Sequence, residues 1–322
     1  MAMNEPVDRQ AWERFPSSRV RWLATRYANV DGIPFAMPVG ARQSPAIFAA
    51  FTIDPDAAAA ILPGQELHPA RILRRGILVV TVVDYMDTTI GRYIEFCIGI
   101  AVTRGRSPAI PLLPMLLQPL FGTAVYIYDL PVSTEISVKG GLGIFGMPKR
   151  QANLDFIVGA DTLSSQYDLD GQLAMRIDLP RPGRAWLPMR IRGAGYGSFR
   201  GLLAKSYINV RGGLALSLSG ERVRLLVGDH PRMDPIKKLD ISPKPLAWGF
   251  VPEVEGVLDD HVETWYLTGN APPGPAAVGT RDVVDLTLDQ TWLTPPDRVR
   301  SDRMMQELSP TERVGRRPAP AG

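Results

Sequence analysis

Short runs of branched and aromatic residues, each closed by a Pro, Gly or Asp-Gly signal, recur along the chain and leave little room for long helices. One long run is Ile77-Leu-Val-Val-Thr-Val-Val83, inside Arg71–Met86. Ala46–Ile53, Gly91–Thr103, Val125–Leu130, Ala152–Val158 and 245–256 are of the same kind. Branched side chains pack well on a pleated surface, so each run predicts a strand. Asp170-Gly171 and Ser219-Gly220 stand between such runs as hairpin turns. One helix start is well marked: Asp54 at the N-cap and Pro55 at the first helical position open Asp56–Leu62, which Pro63-Gly64 closes. The pattern predicts a mainly β protein, a sandwich or barrel with a few short helices.

Outside these runs the chain reads as irregular. Residues 1–44 form an N-terminal extension with one short helix near Arg9–Phe15, and Pro, Gly and Arg punctuate 180–201. The apolar segment 109–121 carries three prolines and reads as a short helix or a covering loop. The β domain is expected over 45–293, followed by an Arg/Pro-rich tail, 294–322, without structure.

Composition narrows the function. One cysteine, Cys97, excludes a disulfide scaffold and a Cys-based zinc site. His68, His230 and His261 have no metal-ligand spacing, so no metal and no cofactor is expected. A balance of 36 Lys+Arg against 33 Asp+Glu argues against a nucleic-acid partner. No signal-type apolar region opens the chain, and 109–121 is shorter than the roughly 20 residues a membrane helix needs. A cytoplasmic, soluble protein is the expectation. Only six of the 36 basic residues are lysines, which shortens any search for an amine nucleophile.

Gly141-Leu-Gly143-Ile-Phe-Gly146 matches the dinucleotide fingerprint, but that fingerprint needs a helix to follow it. Pro148-Lys149-Arg150 and a β-type run follow instead, so the glycines read as a flexible loop entering a strand. Lys149 is the candidate nucleophile. Loss of water around an ammonium and a second cation nearby both favour the neutral, nucleophilic amine. Ile144, Phe145 and Met147 supply apolar surroundings, and Arg150 is the adjacent cation. Adjacent strand residues face opposite ways, so Arg150 acts directly only if the backbone is irregular. The plainer reading is a solvated Lys-Arg pair.

The run Gly91–Ala101 gives the second candidate. Alternation puts Arg92, Ile94, Phe96, Ile98 and Ile100 on one face and Tyr93, Glu95, Cys97 and Gly99 on the other. Both faces are largely apolar, so Glu95 is a carboxylate on a buried strand, suited to proton transfer. The competing reading is a rim glutamate bonded to Arg92 or another arginine.

Tyr93-Ile-Glu95, then Gly141…Gly146-Met-Pro-Lys149-Arg150 leading into Asn153-Leu-Asp-Phe, together with Leu225-Leu-Val-Gly-Asp-His-Pro-Arg-Met-Asp-Pro-Ile236, resembles the acetoacetate decarboxylase family over about 44–255. The resemblance implies a cone-like, double-layered β-sheet or barrel around a closed pocket, in homo-oligomers. It implies Lys149 as the Schiff-base lysine, a mechanism known for that family rather than read from these residues. Arg150 takes the place of the family's second lysine and would lower the lysine pKa. Glu95 becomes the acid/base and Tyr93 an orienting residue; Phe145, Met147 and Arg42 fall to the substrate pocket. The family's Gly-Arg-Glu is replaced by Gly141-Leu142-Gly143. The implied activity is a lyase acting on a small 3-oxo or 2-oxo acid or ketone. An aldolase–dehydratase using the same lysine, or a non-catalytic β-barrel binder, are the alternatives.

Overall fold

The computed structural model describes residues 26–111, 120–184, 187–269, 281 and 283–308. In chain order the elements are β1 (Arg26–Val30), β2 (Ile33–Met37), β3 (Val39–Ile53), α1 (Pro55–Ala59), β4 (Leu67–Pro69), β5 (Gly76–Tyr85), β6 (Asp87–Thr88), β7 (Tyr93–Arg104) and β8 (Ala124–Val132). Next come α2 (Glu135–Phe145), β9 (Lys149–Gln151), β10 (Asn153–Leu154), β11 (Ile157–Val158), β12 (Thr162–Leu169) and β13 (Gln172–Pro180). The last are β14 (Leu187–Phe199), β15 (Leu202–Ser217), β16 (Arg224–Val227), α3 (Asp234–Lys237), β17 (Ala247–Tyr266) and α4 (Val299–Leu308).

Seven strands close a barrel in the order β7-β5-β3-β17-β15-β14-β8, with β8 pairing back to β7. Most pairs are antiparallel; β8 runs parallel to β14 and to β9. A smaller sheet of β10–β13 and β16 forms a second layer. Alternation on β7 decides what faces each layer. Ile94, Phe96, Ile98 and Ile100 point out of the barrel into a core shared with Leu163, Tyr167, Met175 and Ile177 of the small sheet. Phe96 and Tyr167 meet with ring centroids 5.0 Å apart. Tyr93, Glu95 and Cys97 point inward. The mainly β, double-layered barrel is the architecture the sequence predicts.

Several local expectations change. The irregular N-terminal region holds the β1–β2 hairpin, and β3 begins at Val39. The turn is Asp31-Gly32, at φ 51° and 81°, the left-handed pair that a two-residue hairpin turn requires. Asp170-Gly171 makes the same turn between β12 and β13, as predicted. Ser219-Gly220 does not turn a hairpin, because β15 belongs to the barrel and β16 pairs with β13. Ala152–Val158 breaks into β10 and β11, and the punctuated 180–201 carries the long strand β14.

The tail is also structured in part: α4 buries Ser301 and Met305. It is held by Arg298, which bonds the Asp155 carboxylate, and by Ser301, which donates to Gln166. The short helix expected near Arg9–Phe15, most of 109–121 and residues 309–322 lie outside the described residues.

The glycine motif is helical rather than a loop. Gly140, Gly141 and Gly143 lie inside α2, which ends at Gly146 with φ 64°. Glycine is a poor helix former, so tertiary packing outweighs propensity here. Ile136, Val138, Leu142 and Phe145 anchor α2 in two apolar clusters beneath the barrel end.

Candidate active site

The barrel encloses a cavity of about 450 Å³. Tyr93, Glu95 and Cys97 line it from β7, Leu130 from β8, and Met147 and Lys149 from the segment after α2. Three local features place Lys149. Gly146 ends α2 in the left-handed region, turning the chain back toward the barrel. β9 then pairs beside β8, with Leu130 opposite Lys149 and Pro131 opposite Arg150. Finally, Gly141 leaves room for the lysine stem: a Cβ there would lie 2.4 Å from Lys149 Cδ.

The amine lies at the buried end of the cavity. Lys149 Nζ is 2.7 Å from Glu95 Oε2 and donates to Ser137 Oγ at 3.0 Å. It sits 5.1 Å from the Tyr93 ring centroid. Lys149 is 7% exposed and Tyr93 6%. Tyr85 donates to Glu95 Oε1 at 3.4 Å, and its ring packs on Tyr93 with centroids 4.7 Å apart. Burial, then the Glu95 charge, pushes both phenols far up, so both keep their protons. The same two causes push the Cys97 thiol up to about 12. A lysine and a carboxylate therefore face each other among groups that stay neutral.

The other lysines are differently placed. Lys139 is buried, but Asp31, the Val283 carbonyl and the Leu286 carbonyl take its three donors. Such a set holds an ammonium. Lys205 is half-buried on β15 near the Tyr196 and Tyr207 rings, and burial lowers its pKa, but it does not line the cavity. Lys237, Lys238 and Lys244 are exposed.

Arg150 turns to the opposite face of β9. Its Nε lies 2.9 Å from Asp129 Oδ1, an ion pair that lacks hydrogen-bond geometry. Asp129 is fully buried; it also accepts from Tyr167 at 3.1 Å and from Arg232 at 3.4 Å. Strand alternation thus sends the adjacent cations to different layers. Arg150 neutralises a carboxylate between the sheets; the direct effect on the amine, which the sequence reading made conditional on an irregular backbone, is not the contact it makes.

A family model described as acetoacetate decarboxylase matches residues 23–191, just over half of the 322 residues. The chain belongs to the acetoacetate decarboxylase family. No curated protein sequence matches it. Among solved structures, acetoacetate decarboxylase from Legionella pneumophila superposes with a TM-score of 0.51 at 16% identity, covering 84% of this chain and 97% of that one. A second solved acetoacetate decarboxylase gives 0.51 at 14%, over 80% and 98%. An acetoacetate decarboxylase-like enzyme from Sphingomonas wittichii gives 0.50 at 15%, over 71% and 93%. Likeness at such identities is a likeness of fold.

Within this family member, the residues singled out from sequence divide. Lys149, Glu95, Tyr93 and Met147 meet at the cavity. Phe145 packs outside it, against Met37, Ile127 and Leu130. Arg42 is half-buried opposite Asp87 of β6 and is not on the lining. Sequence reasoning missed Ser137, Tyr85 and Asp129. Ser137 lies twelve positions before Lys149, ahead of the glycine motif read as a loop, and only the helix brings its hydroxyl to the amine. Among the described residues, no group of three or more His, Cys, Asp and Glu could hold a metal. No described helix is long and apolar enough to cross a membrane.

Proposed function

We propose that this protein is a lyase in which Lys149 forms a Schiff base with the carbonyl of an oxo acid or ketone. The observation that carries the reading is the 2.7 Å contact between Lys149 Nζ and Glu95 Oε2 at the buried end of an apolar cavity. An amine attacks a carbonyl only after giving up a proton, and Glu95 stands ready to take it. The Nζ lone pair forms the C–N bond. The carbonyl oxygen collects two protons and leaves as water, giving a protonated imine.

The imine withdraws electrons from the neighbouring carbon. In a 3-oxo acid the bond to the carboxylate breaks, carbon dioxide departs and its electron pair forms an enamine. Glu95, which gave one of the two protons to the departing oxygen and takes another from water, protonates the enamine carbon, and water then hydrolyses the imine. Tyr93 and Ser137 hold the nitrogen in place through the ring face and a hydrogen bond. Aldol addition to an aldehyde would start from the same enamine, and carbon dioxide release separates the two reactions.

The test is borohydride trapping with oxo acids and ketones, followed by peptide mass mapping. A reduced adduct on Lys149, with Lys139 and Lys205 unmodified, is the expected result. Adducts only on exposed lysines, or none, would overturn the reading.

A further inference from the structure

We propose that the carbonyl compound received by Lys149 carries an apolar body well beyond the size of a short oxo acid, one that reaches along the apolar wall of the cavity. The inference rests on the Schiff-base reading and deepens it by naming a substrate class.

Volume is the first argument. The cavity of about 450 Å³ lies within the roughly 300–1,000 Å³ of pockets that take drug-sized ligands. A short oxo acid of about seven non-hydrogen atoms would leave much of it empty or wet, and an empty apolar space forfeits its contacts.

The lining is the second. Among the described lining residues, Lys149 and Glu95 are the only charged side chains, and they face each other at the buried end. Away from them the wall includes Ile191, Val210, Leu214, Val251 and Val254. Among the described residues, no guanidinium lines the space. A carboxylate finds a partner only at the Lys149 end, so the rest of the space favours an apolar body over a second polar group.

The opening is the third. Ile191 lines the cavity yet is 48% exposed, whereas Lys149 and Tyr93 are buried. Apolar wall therefore reaches the surface on the β14 side, so a tail can follow a carbonyl that enters first. Each methylene moved from water into such a wall tightens binding about fourfold.

Two series measured on the full-length protein separate this inference from the chemistry. Secondary alcohols from 2-butanol to 2-undecanol cannot form an imine, so calorimetry with them reads the cavity alone. The matching 2-alkanones, with pyruvate and acetoacetate, are trapped by borohydride and mapped to Lys149. The expected result is alcohol binding that tightens at least a hundredfold across the series, and half-trapping concentrations that fall in parallel. Val210→Trp, which fills part of the wall, should move the optimum to shorter chains. Alcohol binding that stays flat with length overturns the inference, and trapping of pyruvate in that case leaves the Schiff-base reading standing. Alcohols that tighten while no ketone is trapped keep the chain-binding cavity and overturn the amine chemistry.

Discussion

Gly141 of α2 and Lys149 of β9 share one space: a Cβ added to Gly141 would lie 2.4 Å from Lys149 Cδ and 2.7 Å from Cε. The glycine lets a buried lysine stem run past a helix to reach Glu95. Gly141→Ala should leave α2 intact, since alanine is the better helix former. The stem must then shift, taking the amine from Glu95 and Ser137. Misplacement on that scale costs a reaction about a hundredfold. Borohydride trapping on Lys149 should fall by about that factor, and the thermal midpoint should fall with the weakened Lys149–Glu95 pair. Unchanged trapping would show that the stem finds another path.

The Lys149–Glu95 pair is also a structural contact. Both side chains are largely buried, so removing one leaves the other charge without its partner. Lys149→Met and Glu95→Gln should each cost about 3 kcal/mol of stability, the lower end for a broken buried pair. The double variant should recover part of that loss, a coupling that urea denaturation of all four proteins measures. Lys149→Met should abolish trapping completely. Glu95→Gln should slow imine formation near neutral pH, because the ammonium loses its proton acceptor, and should also lose the proton return to carbon.

The barrel could be foreseen because alternation is a local property. Tyr93, Glu95 and Cys97 fall on one face of β7 in the sequence and line one cavity in the fold. The hairpin at Asp170-Gly171 was legible for the same reason, since its signal is two adjacent residues. Asp31-Gly32 carries an equal signal but lies in a region otherwise poor in β pattern. What stayed hidden depended on distant partners. α2 is a helix despite three internal glycines because Phe35, Val30 and Lys149 pack into the spaces those glycines leave. Arg150 could be placed only once Asp129, twenty-one residues earlier on a parallel neighbour, was known to sit beneath it.

Cys97 offers a pH test. Its thiol is held up to about 12 by burial and the Glu95 charge, against an ordinary 9.0. The native state therefore keeps a proton that the unfolded chain loses above pH 9. Stability from this residue is intact below pH 9 and falls through the window from 9 to 12, by up to about 1.4 kcal/mol per pH unit. Wild type should lose stability relative to Cys97→Ala between pH 9 and 11, read from denaturation midpoints. Alkylation of the native protein by iodoacetamide should also be far slower at pH 8 than that of a free thiol, because the thiolate is the nucleophile.

Asp129 makes a different prediction for Arg150. The carboxylate is fully buried between the layers and pairs with Arg150 and Arg232. Arg150→Met should weaken the inter-sheet contact and cost about 3 kcal/mol, because a buried charge loses a partner. Asp129→Asn/Arg150→Met should be more stable than Arg150→Met alone. If the guanidinium acts only between the sheets, the pH–rate profile of trapping on Lys149 keeps its shape in Arg150→Met. A displaced profile would mean that the charge is felt at the amine through the strand.

The C-terminal arm gives the last test. Gln166 is fully buried, and its amide donates to the Asp297 carbonyl at 3.0 Å. Arg176 is buried too, reaching Ser301 Oγ at 3.0 Å and the Asp302 carboxylate. Ending the chain after Leu293 removes these partners and also Arg298, which pairs with Asp155. Each polar group left unpaired in the small sheet costs about 1–3 kcal/mol. The truncated protein should therefore unfold at a clearly lower urea concentration. Hydrogen exchange should speed first in β12 and β13, whose side chains lose these bonds, and last in the barrel strands β5 and β7. Equal loss of protection in both layers would mean that the arm supports the whole molecule rather than the outer sheet.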